Sequence, residues 1–176
     1  MTTLIIYCHP SKESYTYQIL NQLERILKNE NIKFEISDLY EMNFQSEITE
    51  QEYMREGLLN FNLPIPRDVK QDDCPAKLKG WFDRVYSVGY AYGKNEKMKT
   101  VKYGISLCTA GHSNKYLDEI GIADSMRNIM IDDRLGQRFN KKEMIILGGT
   151  LDRAKVEKEH SKIVENIAKR IKKHCS

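Results

Sequence analysis

Residues 3–14 read Thr3-Leu4-Ile5-Ile6-Tyr7-Cys8-His9-Pro10-Ser11-Lys12-Glu13-Ser14, and this stretch decides the fold. Six β-favouring residues without a charge, ended by His9-Pro10, predict a strand over Thr3 to Cys8 that is buried on both faces. After the polar loop Ser11 to Ser14, the segment Tyr15 to Asn29 carries Ile19, Leu20, Leu23, Ile26 and Leu27 with charges between them. That spacing predicts an amphipathic helix. Asn29 and Asn31 break it, and Ile32, Phe34 and Ile36 alternate with polar neighbours up to Asp38-Leu39-Tyr40. Strand, helix and strand in this order form a β-α-β unit, which implies parallel strands joined by a right-handed crossover.

The same alternation continues along the chain. Thr49 to Asn60 is a short helix candidate, and Pro64, Pro66 and the charged run to Asp73 form a loop. Pro75 opens a helix over Ala76 to Tyr86, with Leu78, Trp81, Phe82 and Val85 on one face. Lys102 to Thr109 is a strand that runs into Thr109-Ala110-Gly111, and Lys142 to Leu147 is another, stopped by Gly148-Gly149. Asp152 to His174 closes the chain as a helix with Val156, Ile163, Val164, Ile167 and Ile171 at helical intervals. The pattern predicts an open, doubly wound α/β sheet, whose ligands lie beyond the carboxyl ends of the strands.

Composition narrows the function classes. The 176 residues suit one domain, 1–176, with a single core. Twenty-eight Lys and Arg against 25 Asp and Glu leave a net charge of +3, far from the strong basic field of a nucleic-acid binder. With 40% hydrophobic residues and a mean hydropathy of -0.59, the chain has material for a core and no apolar run approaching the ~20 residues of a membrane span. Cys8, Cys74, Cys108 and Cys175 show neither CxxC nor metal-ligand spacing, so no metal site and no disulfide framework are expected. The N-terminus lacks the basic flank of a signal peptide, and the expected location is the reducing cytoplasm.

Two loops could carry chemistry. His9 to Thr16 places hydroxyls, a histidine and Lys12 where free backbone N–H groups and a helix dipole favour an anion such as phosphate. The blander alternative is that Ser14 or Thr16 only caps the helix. Neither GxGxxG nor GxxxxGK[ST] occurs, which argues against a Rossmann dinucleotide site and a P-loop. Thr109-Ala110-Gly111-His112 is the second loop, where a glycine permits close backbone approach.

Pro75-Ala76-Lys77-Leu78-Lys79-Gly80-Trp81-Phe82-Asp83-Arg84-Val85, followed by Gly89-Tyr90-Ala91-Tyr92-Gly93, resembles a segment of the flavodoxin-like NAD(P)H dehydrogenases (quinone). The resemblance extends to Cys8-His9-Pro10-Ser11-Lys12-Glu13-Ser14-Tyr15-Thr16, to Asp38-Leu39-Tyr40 and to Thr109-Ala110-Gly111, and covers roughly residues 3 to 150. It implies a flavodoxin-like doubly wound parallel sheet with helices on both faces. It also implies bound FMN or FAD, NADH or NADPH as reductant, a quinone-like acceptor, and a homodimer. His9, Ser14, Tyr15 and Thr16 would surround the flavin phosphate and ribityl chain, while Thr109, Ala110, Gly111 and His112 would line the ring. Tyr116 takes the position of the family's active-site tyrosine and would donate a hydrogen bond to the reduced ring, with His112 as the stand-in for an assisting histidine. A loop tyrosine facing solvent is the alternative for Tyr116. Two other functions stay in view: an accessory subunit with little or no turnover, as in relatives that serve potassium-efflux transporters, and a one-electron carrier, which the positive net charge opposes.

One departure stands out. The family's third buried strand and its PxxW flavin loop have no counterpart between Asp38 and Lys99, so the central strand of the sheet is missing. Either about 20 residues, one strand with its turns, are absent between Asp68 and Pro75, or the strand has been deleted. Deletion would leave strand edges unmet. Each buried unpaired backbone group costs about 1–3 kcal/mol against the ~5–15 kcal/mol that stabilises a whole domain, which favours the first explanation.

Overall fold

The computed structural model describes residues 2–46, 76–87, 90–92 and 97–175. In chain order they form β1 (Thr3–Tyr7), α1 (Tyr15–Asn29), β2 (Phe34–Asp38), α2 (Ala76–Val85), β3 (Val101–Thr109), α3 (Asn114–Glu119), α4 (Ile122–Arg127), a π-helical segment (Asn128–Leu135), β4 (Phe139–Leu147) and α5 (Arg153–Cys175). The helix expected over Thr49 to Asn60, the loop with Pro64 and Pro66, Pro75, and Gly89 and Gly93 lie outside the described residues. The contacts divide the chain into two compact units, one of Met1–Thr3, Ser11–Phe34 and Thr100–Ser176, the other of Leu4–Pro10 and Glu35–Lys99.

The larger unit is built on β3 and β4, which run parallel in the register Val101 to Phe139 through Thr109 to Leu147. Alternation of side chains along the two strands assigns each face a set of helices. Cys108, Met144 and Ile146, with Ala110 just beyond β3, pack against Leu117 of α3 and Ala123 and Met126 of α4. On the opposite face the Tyr103 ring lies 4.3 Å from the His174 ring, Glu143 pairs with Arg170 at 2.5 Å, and Thr109 meets Thr16. α5 and α1 therefore cover that side, and the double winding is real. α1 begins where the sequence predicts because the Ser14 side chain accepts from Tyr17 N at 3.1 Å. It ends at Asn31, whose φ of 55° takes the left-handed conformation that asparagine tolerates. Lys172 on Glu30 at 2.5 Å, and Gln22 with Ser161, tie α1 to α5.

In the smaller unit β1 pairs with β2. Thr3 N donates to Lys33 O and Leu39 N to Tyr7 O, and because both partners advance together the strands are parallel. Asp38 Oδ1 accepts from Tyr40 N and Glu41 N and turns the chain away. From α2, Lys77 Nζ donates to Phe44 O at 2.6 Å and the Arg84 guanidinium donates to Gln45 O while lying over the Phe44 ring. Gly80 is required here, since a Cβ would meet Ser46 O and lie 2.9 Å from Ser46 Cα.

Two expectations change. β1 is not buried on both faces: Tyr7 is buried but Leu4 is 55% exposed, because β1 has one neighbouring strand among the described residues and stands at an edge of its sheet. β4 starts at Phe139, three residues before the apolar run, since pairing with Val101 and Tyr103 carries the polar residues Asn140 and Lys141 into the ladder. No strand is seen between β2 and β3 among the described residues, and the strands form two separate two-stranded sheets, β1 with β2 and β3 with β4.

Candidate functional site

Beyond the carboxyl end of β3, residues 110–112 are held by the turn that follows β4, with bends at Gly111 and His112. Ala110 N donates to Leu147 O at 3.0 Å. Ala110 O accepts from Thr150 N at 3.1 Å and from Thr150 Oγ1 at 3.0 Å, Gly111 O from Leu151 N at 3.3 Å, and His112 O from Gly149 N at 2.8 Å. Gly149 reaches that last bond with φ 84°, a conformation that favours glycine. All three loop carbonyls are thus turned to the 149–151 turn. Among the described residues the N–H groups of Gly111 and His112 have no partner. Two adjacent donors on a backbone fixed by its carbonyls suit the electronegative edge of a planar ligand.

The packing under this loop leaves no slack. A Cβ at Gly148 would meet Asn114 Oδ1, and would lie 2.7 Å from Asn114 N and 2.8 Å from His112 O. Asn114 Nδ2 donates to Ile146 O at 3.0 Å. Ser113 caps α3 by accepting from Tyr116 N at 3.3 Å, and the His112 and Tyr116 rings pack together, centroids 4.8 Å apart. Tyr116 is 44% exposed. The two residues assigned to proton chemistry are therefore neighbours on one turn, with the tyrosine ring open to solvent.

At the start of α1, Thr16 Oγ1 and Thr109 Oγ1 are hydrogen-bonded at 2.9 Å, which brings the two predicted loops together within the larger unit. Ser14 Oγ serves as the helix cap, and the first-turn N–H groups of Tyr15 and Thr16 have no partner among the described residues. The Tyr15 side chain departs from its expected place. It is buried, its hydroxyl lies 3.0 Å from His160 Nδ1, and Arg153 lies over its ring at 5.5 Å. Burial, then Glu157, raise its pKa against the opposing pull of Arg153. Tyr15 can serve an anion through its backbone N–H only. His9, half-buried just past β1, belongs to the smaller unit.

Sequence reasoning missed His160, Asn114, Thr150 and Leu151. The signal for His160 was present: it falls on the stripe of Val156, Val164, Ile167 and Ile171, and is 3% exposed. Burial, foremost, lowers its pKa, while a hydrogen bond to the Gly148 backbone and the charge of Glu159 work the other way. At the end of β3 the Cys108 thiol is pushed up to about 11 by burial, which makes it a core residue rather than a nucleophile.

These features define an α/β protein with a ring-sized donor edge and a helix N-terminus on the same side of a parallel sheet. The family described by the flavodoxin-like fold matches residues 1–72 and 73–171, and the chain belongs to it. The two matched pieces meet at residues 72 and 73, inside the interval where the sequence pattern lacks the family's third strand. An uncharacterized NAD(P)H oxidoreductase of Haemophilus influenzae is 30% identical over 157 residues, covering 75% of this chain and 75% of the relative. The solved NAD(P)H:quinone oxidoreductase from Methanothermobacter marburgensis is 33% identical, with a TM-score of 0.84 over 98% of this chain and 97% of its own. The potassium-efflux ancillary protein KefG of Salmonella paratyphi B is 33% identical over 113 residues, covering 61% of this chain and 57% of the relative.

Proposed function

We propose that this protein is a flavin-dependent NAD(P)H oxidoreductase that passes hydride equivalents to quinones or similar two-electron acceptors. The observation that carries the reading is the 109–112 loop, whose Ala110, Gly111 and His112 carbonyls are engaged by Gly149, Thr150 and Leu151 and whose Gly111 and His112 N–H groups are left to a ligand. The kinship with NAD(P)H and quinone oxidoreductases supplies the substrate class. The residues present fit a flavin: a backbone donor pair for the ring's polar edge and an open helix terminus for a phosphate.

Bound flavin, FMN or FAD, supplies the two-electron chemistry, accepting hydride from the nicotinamide and delivering it to the acceptor. The protein does the rest. The Gly111 and His112 N–H groups face the edge where negative charge accumulates and are fixed before that charge forms, so no reorganisation is needed. Tyr116 offers its hydroxyl as donor, and His112, stacked on it, is placed to exchange the proton with solvent. Ser14, Thr16 and the first-turn N–H groups of α1 would hold the phosphate. Reductant and acceptor would share one cavity, so ping-pong kinetics are expected.

The same reading takes residues 1–176 as one domain, a homodimer working in a reducing cytoplasm; Cys8 and Cys108 as free thiols accord with that compartment. No helix of the described residues is long and apolar enough to cross a membrane. The test is direct: purified protein incubated with FMN or FAD should turn yellow, bleach with NADH or NADPH without oxygen, and recover on adding a quinone. Colourless protein that takes up neither flavin would remove the enzyme and leave the accessory role.

A further inference from the structure

We propose that Leu151 is a further binding residue of the candidate site, an apolar shoulder against which the planar ring of the flavin is laid; the inference rests on the flavin reading above. Leu151 is 79% exposed, against 55% for Leu4 and Ile129, the next among the exposed large hydrophobic residues. An exposed leucine alone needs no explanation, since apolar atoms make up much of any protein surface. Its place does. The turn Thr150–Asp152 is fixed on both sides of it: Thr150 donates to Ala110 O through N and Oγ1, and Asp152 Oδ2 pairs with Lys155 Nζ at 2.6 Å. Leu151 N donates to Gly111 O at 3.3 Å, so the backbone of this residue is committed while its isopropyl group stands largely in water.

What that group does touch is Gly111. A Cβ at Gly111 would lie 3.3 Å from Leu151 Cγ, and 3.6 and 3.7 Å from its two Cδ atoms, so the leucine occupies the space a side chain would fill at 111. The same glycine carries one of the two N–H groups without a partner among the described residues. An acceptor on that N–H stands about 4 Å from Gly111 Cα, the carbon on which Leu151 rests. A ligand broader than a single acceptor atom therefore meets the isopropyl group as it takes the bond. A backbone donor edge with an apolar surface beside it suits a planar ring with heteroatoms along its rim, and suits a phosphate or a sugar hydroxyl poorly. Covering the leucine removes from water apolar area that the flavin-free protein leaves exposed, so the contact favours the bound state alone. The turn is fixed before binding, and the ordering cost is confined to one side chain.

The experiment compares wild type with Leu151→Ser and Leu151→Met. Affinity is read by quenching of flavin fluorescence, for FMN and for riboflavin, which keeps the ring and lacks the phosphate. Leu151→Ser should lose about tenfold in affinity for both flavins, by the same factor, the size of an apolar contact made by part of one leucine. Leu151→Met, of similar volume, should stay within about threefold of wild type. In flavin-free protein the melting temperature and the amide exchange of residue 151 should be the same in all three, because an exposed side chain carries little of the fold. Leu151→Ser binding both flavins as wild type does overturns the inference, and so does a loss confined to FMN, which would put the leucine at the phosphate end. A loss accompanied by faster exchange at residue 151 or by a lower melting temperature also overturns it, since the leucine would then act through the loop. If wild type takes up neither flavin, the flavin reading falls and the inference with it, whereas wild-type uptake with an unaffected Leu151→Ser removes the inference alone.

Discussion

Tyr116 and His112 show how a residue can be chemically apt and structurally cheap at once. Tyr116 is nearly half exposed and contributes little packing, so its hydroxyl can be removed without harm to the fold. Tyr116→Phe should bind flavin as wild type does and turn over about 10- to 100-fold more slowly, the range lost with a single proton or oxyanion donor. Unchanged steady-state turnover would take the hydroxyl out of the mechanism. His160 is the opposite case, buried and invisible to solvent. Its folded pKa lies below the ordinary 6.5, so the unfolded chain binds the proton more readily. Its stabilising contribution is complete above that value and is lost as the pH falls through the lowered folded pKa. The Tyr15 hydroxyl, Glu159 and the Gly148 backbone surround the ring, and Glu157 and Arg153 act on Tyr15. The melting temperature of wild type should fall more steeply from pH 6.5 downward than that of His160→Gln, and equal slopes would show that burial does not hold the ring neutral. The Ser14 cap was legible in the sequence because a hydroxyl between a polar loop and an apolar helical stripe suits that position. His160 was hidden by its company, a helix otherwise read for its aliphatic spacing.

Elements were legible where one interaction dominated. α1 agrees with its sequence prediction at both ends because a capping serine, a 3.6-residue stripe and an asparagine stop all point the same way. Asn114 to Leu135 was unread, since α3 and α4 are six residues each and present single apolar contacts, Leu117 and Ala123, rather than a stripe. The turn between β4 and α5 carries the most constraint per residue. Gly148 has the backbone of His112 and Asn114 within van der Waals distance of any added carbon, and backbone cannot step aside as a side chain can. Gly148→Ala should cost about 1–3 kcal/mol in denaturant unfolding and should impair flavin uptake more than its stability loss explains, because displacement of His112 O opens the bond to Gly149 N. Thr150→Val, which removes only the second bond to Ala110 O, should cost about 1 kcal/mol and leave the loop path intact. If Gly148→Ala were no worse than Thr150→Val, the close approach at 148 would not govern the loop.

At the scale of the whole molecule the open question is a strand. β3 carries helices on both of its faces, which is how an interior strand of a doubly wound sheet is dressed, yet it has one strand partner among the described residues. β1 shows the same deficit and exposes Leu4. The family match divides at residues 72 and 73, inside the interval where the sequence pattern lacks the expected strand. Covered faces with an open edge are an unstable combination: helices exclude water from the strand while the edge N–H and C=O groups still require partners. A strand with its flanking turns between Asp68 and Pro75 is what the sequence resemblance calls for. The intact mass of the protein isolated from its native source should then exceed 20.6 kDa by roughly 2 kDa, the weight of one strand with its turns. A mass of 20.6 kDa would mean that the strand is gone. In that case the edges themselves should exchange amide protons quickly at Leu4 and Ile105, whose N–H groups point away from β2 and β4, and protected amides there at that mass would contradict the account of two separate parallel pairs.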